Sequence, residues 1–153
     1  MNNSESNSGL KQDVRDRLDS YGIYQVSLQL FDDFWKDSEI LGKDFRGREL
    51  AKQLVRSVDS ICANMEEGYG RGFGKELPQH LTISRGEARE SKGRYQRCSK
   101  LLPQAIVAAR KATLDHIIGG LTKTINTIET RRAIPRTTAA SRHPSPATRH
   151  VSA

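Results

Sequence analysis

The chain has 153 residues, 35% hydrophobic and 28% charged, with a formal net charge of +7. That length and apolar share suit one domain with a modest core and flanking tails, and exclude a set of independently folded domains. The longest mostly apolar run, residues 105–109, is far too short to span a bilayer, and the opening Met1-Asn2-Asn3-Ser4 lacks the basic and apolar regions of a secretion signal. A cytoplasmic protein without membrane association is therefore expected.

Residues 1–20 are rich in Asn and Ser and then charged, and read as a flexible N-terminal segment. The first predicted helix follows Tyr21-Gly22. Ile23, Val26, Leu30, Phe34 and Leu41 form its apolar stripe, widened by Phe31 and Trp35, with Asp32, Asp33, Lys36 and Asp37 placed elsewhere. Residues 42–47 read as the first connection. Leu50, Leu54, Val58, Ile61 and Met65 alternate at spacings of four and three, which predicts a second helix over residues 48–67. Gly68, Gly70, Gly72 and Gly74 are read as its stop, with Glu67 as a cap or arginine partner at the turn and Gly68 and Gly70 supplying backbone freedom.

A third helix is predicted from about Lys75, with Pro78 tolerated in its first turn. Along it Leu77, Leu81, Ser84, Ala88, Ser91, Tyr95, Cys98 and Leu102 make a regular heptad-like seam of mostly small residues. Such a seam allows close helix approach, and it motivates the expectation of a homo-oligomer. Pro103 restarts the chain, and Leu114, Ile117, Ile118, Leu121, Ile125 and Ile128 mark a fourth helix to about Arg132. Gly119-Gly120 inside it predicts a kink or a close contact. Residues 133–153, rich in Arg, Pro and Ser, cannot build a core and read as a disordered tail. No segment alternates with the period of a half-buried strand. The fold class expected is thus all-α, an antiparallel four-helix bundle over residues 21–132.

Around the glycine turn, the pattern Ser60-Ile61-x-Ala63-Asn64-x-x-Glu67-Gly68-Tyr69-Gly70-Arg71 resembles a family of four-helix-bundle proteins. These were first noticed as reading frames inside intervening sequences of bacterial large-subunit ribosomal RNA genes. Lys75-Glu76, then Ile83, Gly86 and Glu90, and upstream Gln53 and Arg56 continue the likeness, which covers roughly residues 22–130. Cys62 stands where the family commonly has Pro, and Glu66 where it has a small residue. Relatives of that bundle serve as accessory proteins in diversity-generating retroelements. The resemblance implies a ring-shaped homopentamer and, in the retroelement relatives, a basic assembly that binds a reverse transcriptase and nucleic acid.

The chemistry of an enzyme is not evident. The glycine turn fails as a phosphate loop: Tyr69 occupies the required first glycine, Glu76 replaces the magnesium-binding Ser or Thr, and the preceding segment is helical. Carboxylates at Glu66, Glu67 and Glu90 lack the Glu-x-x-His pairs of a di-iron bundle. The four histidines are scattered, and Cys62 and Cys98, on or beside apolar faces, read as buried thiols. No catalytic residue, metal or cofactor is expected.

Binding is the better expectation. Arg85, Arg89, Lys92 and Lys100 are spaced to share one face of the third helix, with Arg94 and Arg97 nearby. Residues 131–153 hold Arg131, Arg132, Arg136, Arg142 and Arg149 with no acid. With Arg71 and Lys75 at the corner, these are the candidate contacts to RNA or DNA, through sequence-independent phosphate neutralisation, or to a protein partner. The alternative expectation is a protein-interaction scaffold whose basicity is incidental.

Overall fold

The computed structural model describes residues 17–72 and 74–134. The two expected terminal tails lie largely outside these residues, as does Arg136. Four helices follow in order: α1 (Gly22–Leu41), α2 (Phe45–Gly70), α3 (Glu76–Arg97) and α4 (Gln104–Ala133), with a single 3₁₀ turn, Cys98–Lys100, after α3. They form the antiparallel bundle expected, and no strand occurs among the described residues. Neighbours in sequence are neighbours in space: α2 packs on α3, α3 on α4 and α1 on α2, while a lighter α1–α4 contact closes the ring.

The connection between α1 and α2 is only Gly42-Lys43-Asp44, shorter than the 42–47 expected, because Asp44 starts the second helix early. Its carboxylate accepts the Arg46 N–H at 2.8 Å, an N-cap that satisfies one orphan donor of the first turn. Gly47 makes the tight turn possible. A Cβ there would lie 2.1 Å from the Leu41 carbonyl oxygen, so no side chain fits while the backbones keep this approach.

At the far end of α2 the expected stop needs correcting. The helix passes through Gly68 and ends at Gly70, and neither glycine has a positive φ; the left-handed residue is Gly72, at φ 82°. Gly68 is needed for packing instead. A Cβ on it would sit 2.9 Å from the Cβ of His80 and 3.1 Å from a methyl carbon of Leu77, so its bareness lets α3 cross closely. A Cβ on Gly70 would meet nothing within 4 Å. The helix persists because packing of the surrounding face outweighs a glycine penalty of about 1 kcal/mol per residue.

All eight residues of the α3 seam are buried. They face the interior of this same bundle, so the seam leaves no surface for a second copy and does not support the oligomer it suggested. Its serines are also more than small. Ser84 donates to the Ile61 carbonyl at 2.8 Å and Ser91 to the Ser57 hydroxyl at 2.8 Å, tying α3 to α2 by hydrogen bonds between buried polar groups. On α4, Gly120 is the close contact anticipated: a Cβ would lie 2.2 Å from the end of Ile23 on α1.

Two expectations for α1 are reversed. Trp35 is 62% exposed, whereas Asp37 is 1% exposed and belongs to the core. With Leu28 and half-buried Phe31, Trp35 forms an outward apolar face; the Phe31 and Trp35 rings lie 6.3 Å apart.

Candidate nucleic-acid interface

The buried Asp37 is the centre of a polar cluster joining three helices. Arg110 of α4 donates through Nε to Asp37 at 2.8 Å and through Nη1 to Asp33 at 2.8 Å, and the Tyr95 hydroxyl of α3 donates to Asp37 at 3.0 Å. Burial, reinforced by the neighbouring carboxylate, pushes the Tyr95 phenol well above its ordinary range, and the bond to Asp37 raises Arg110 further. With the buried Asp37 matched by Arg110 and hydrogen-bonded from two helices, this cluster is a structural brace. The sequence signal was available but overlooked. Asp37 falls between Phe34 and Leu41 at the three-and-four spacing of the stripe, and Arg110 falls likewise between Val107 and Leu114.

Cys62 and Cys98 are buried free thiols, as expected, with Cys62 pushed up to about 12 and Cys98 to about 11, chiefly by burial. Neither has the character of a nucleophile. The described residues contain no cluster of three or more His, Cys, Asp or Glu suited to a metal. No helix among them is long and apolar enough to cross a membrane.

The expected cations do not form one surface. Arg71 spans Glu67 at 2.6 Å and Glu76 at 3.3 Å, locking the glycine corner, and Lys75 beside it is exposed. Arg85 turns toward α4 and donates to Thr122 at 3.3 Å, while Lys92 pairs with Asp115 of α4. Arg89 and Lys92 line an α3–α4 groove of about 430 Å³ together with Gln96 and Lys111. Arg94 is largely covered and pairs with Glu90 at 3.2 Å. Arg131 is exposed, and Arg132 donates to the Gly74 carbonyl, tying the end of α4 to the glycine corner.

Arg97 and Lys100 lie elsewhere, in a cleft of about 330 Å³ with Arg46, Leu50 and Leu101. Lys100 thus leaves the Arg85, Arg89 and Lys92 face on which helical spacing placed it. The cause is the 3₁₀ turn, which abandons the 3.6-residue repeat after Arg97. Sequence reasoning also missed Arg46 and its neighbour Phe45. Phe45 is 68% exposed, and the Arg46 guanidinium lies 5.4 Å from its ring centroid. Arg46 is held there by Asp44 at 3.0 and 2.9 Å, and these bonds keep the Asp44 carboxyl well below the usual carboxylate range.

Charge is divided between the halves of the bundle. From α3 through α4 there are eleven Lys and Arg against five acids, whereas α1 has four acids against Lys36 alone. The fold and this surface define an all-α bundle with an outward basic half. The sequence model of the 23S rRNA-intervening sequence protein family matches residues 19–123, from just before α1 to two thirds of the way along α4, and the chain belongs to that family. No curated protein sequence matches it.

Proposed function

We propose that this is a non-enzymatic, cytoplasmic accessory protein that self-associates and binds RNA or DNA through phosphate contacts on its basic half. The observation that carries the reading is the excess of eleven cations over five acids from α3 through α4, continued by arginines beyond α4 without an acid. Exposed Lys75, Arg89, Arg97, Lys100 and Arg131 have no acidic partner among the described residues, so their charge is available to phosphates. Recognition of this kind is insensitive to sequence and sensitive to salt. Self-association is supported by the outward α1 face of Leu28, Phe31 and Trp35. Its flanking Asp32 and Glu39 complement the basic half of a second copy, a head-to-tail arrangement that generates rings when the rotation closes. A reverse transcriptase, the partner of the retroelement relatives, would be a further occupant of the assembled surface.

The test is affinity against salt for unrelated RNA and DNA sequences, with light scattering on the same samples. Full-length protein is expected to bind all sequences alike at low salt. Removal of residues 135–153, which takes away Arg136, Arg142 and Arg149, should flatten the log–log salt slope by up to about 0.7–0.9 per lost phosphate contact. Absence of binding at low salt would remove the nucleic-acid reading and favour a protein scaffold. A monomer at all micromolar concentrations would remove self-association.

A further inference from the structure

Helices α3 and α4 face each other across a ladder of polar rungs in antiparallel register. Arg85 donates to Thr122 at 3.3 Å, Lys92 pairs with Asp115, and Lys111 donates to Gln96. One rung of this ladder is unfilled. In the same register exposed Arg89 falls opposite half-buried Ile118, whose side chain accepts no hydrogen bond, and Arg89 has no acidic partner among the described residues. Gly93, one turn along α3 from Arg89, contributes no side chain either. A Cβ there would meet only the flexible end of Arg97, at 3.6 Å and beyond. The missing rung and the missing side chain leave the groove of about 430 Å³ that Arg89, Lys92, Lys111 and Ile118 line together with Gly93. Its charge is uneven as well. Asp115 offsets Lys92, whereas Gln96 is neutral and leaves the charge of Lys111 uncompensated, as that of Arg89 is.

We propose that this groove seats one phosphodiester of a nucleic-acid backbone, held by Arg89 and Lys111, with the adjoining sugar over Ile118. The proposal rests on the nucleic-acid reading above and narrows it to one place on the basic half. The planar guanidinium of Arg89 can give two parallel hydrogen bonds to phosphate oxygens, and Lys111 adds a point charge. The groove follows the length of two helices, so a continuous strand can lie along it, and the bare backbone at Gly93 lets that strand approach closely. Contacts to phosphate and sugar set position without reading sequence.

Fluorescence anisotropy of the full chain with a mixed-sequence DNA duplex of about twenty base pairs, repeated across a range of salt, tests it. Arg89→Gln should weaken binding and lower the log–log salt slope by about 0.9, one phosphate contact. Gly93→Leu changes no charge but fills the groove, so it should weaken binding too, and it should melt no earlier than the parent because leucine is the better helix former. Asp115→Asn releases Lys92 to the phosphate and should tighten binding, a gain that disappears once Gly93→Leu is added. Inorganic phosphate should compete no better than chloride at equal ionic strength; stronger displacement would assign the groove to a free phosphate and overturn the backbone assignment. If Gly93→Leu binds as the parent does, the groove is not the seat while the broader reading stands. If the parent does not bind at low salt, the broader reading fails first. Should Gly93→Leu melt early, Arg89→Gln decides, and an unchanged salt slope overturns the site.

Discussion

Two groups of charged residues in this bundle use the same chemistry to opposite ends. Asp37, Arg110 and Tyr95 are inside, matched in charge and hydrogen-bonded across three helices; Arg97 and Lys100 are outside and unmatched, in an open cleft with Arg46. A charge removed from water must find its counter-charge within the protein, so the buried group spends its interactions internally. The open group has spent none. Residue type alone therefore says little about function here, and compensation says more.

The comparison breaks most visibly at Arg110. Arg110→Met leaves Asp37 buried without its cation and should cost about 3–5 kcal/mol, read as a lower denaturant midpoint. Combining it with Asp37→Leu should recover most of that loss, because the uncompensated charge is then gone. If Arg110→Met alone melts like the parent, the cluster is not a brace. A smaller effect tests whether the open region rests on a closed one. Gly47 follows Arg46 directly, yet a Cβ there meets the Leu41 backbone. Gly47→Ala should thus destabilise by about 1–3 kcal/mol by thermal or denaturant melting, the scale of overpacking, although helix propensity alone favours alanine. The least effect is expected at the cleft itself. Arg97→Gln with Lys100→Gln should shift stability by no more than about 0.5 kcal/mol in the same melts, and a larger loss would mean that these cations serve the fold.

The four helices were legible because their apolar spacing is long and regular, and the α3 seam was read residue for residue. What escaped were positions where a polar residue occupies an apolar place. Asp37 and Arg110 each sit on their helix's inward spacing, but a pattern search that admits only apolar residues passes over them. The Gly68 role escaped for another reason: a glycine near a helix end signals a positive φ, and only the crossing of α3 over it reveals that space, not φ, was required. For the site, composition found the basic half but not its division. Ion pairs to Glu67, Glu76, Glu90 and Asp115 occupy Arg71, Arg94 and Lys92, and such pairings depend on tertiary contacts. The cleft of Arg46, Arg97 and Lys100 joins residues about fifty positions apart in the chain, beyond any local pattern.

The three-residue link between α1 and α2 has a kinetic consequence. Successive helices meet through short connections, so most of the interior can assemble from contacts that are close along the chain, the low-contact-order regime in which helical domains fold fast. Docking of α1 against α4 is the exception. It must close a loop of roughly a hundred residues, and the entropy of loop closure grows only slowly with length, roughly as 1.5RT times its logarithm. The fit of Ile23 over bare Gly120 and the 2.8 Å bond between Tyr21 and Thr124 stand at that seam. Together with the Arg110 bonds to Asp33 and Asp37, these contacts hold together the ends of the folding sequence, where two helices share the lightest packing in the ring.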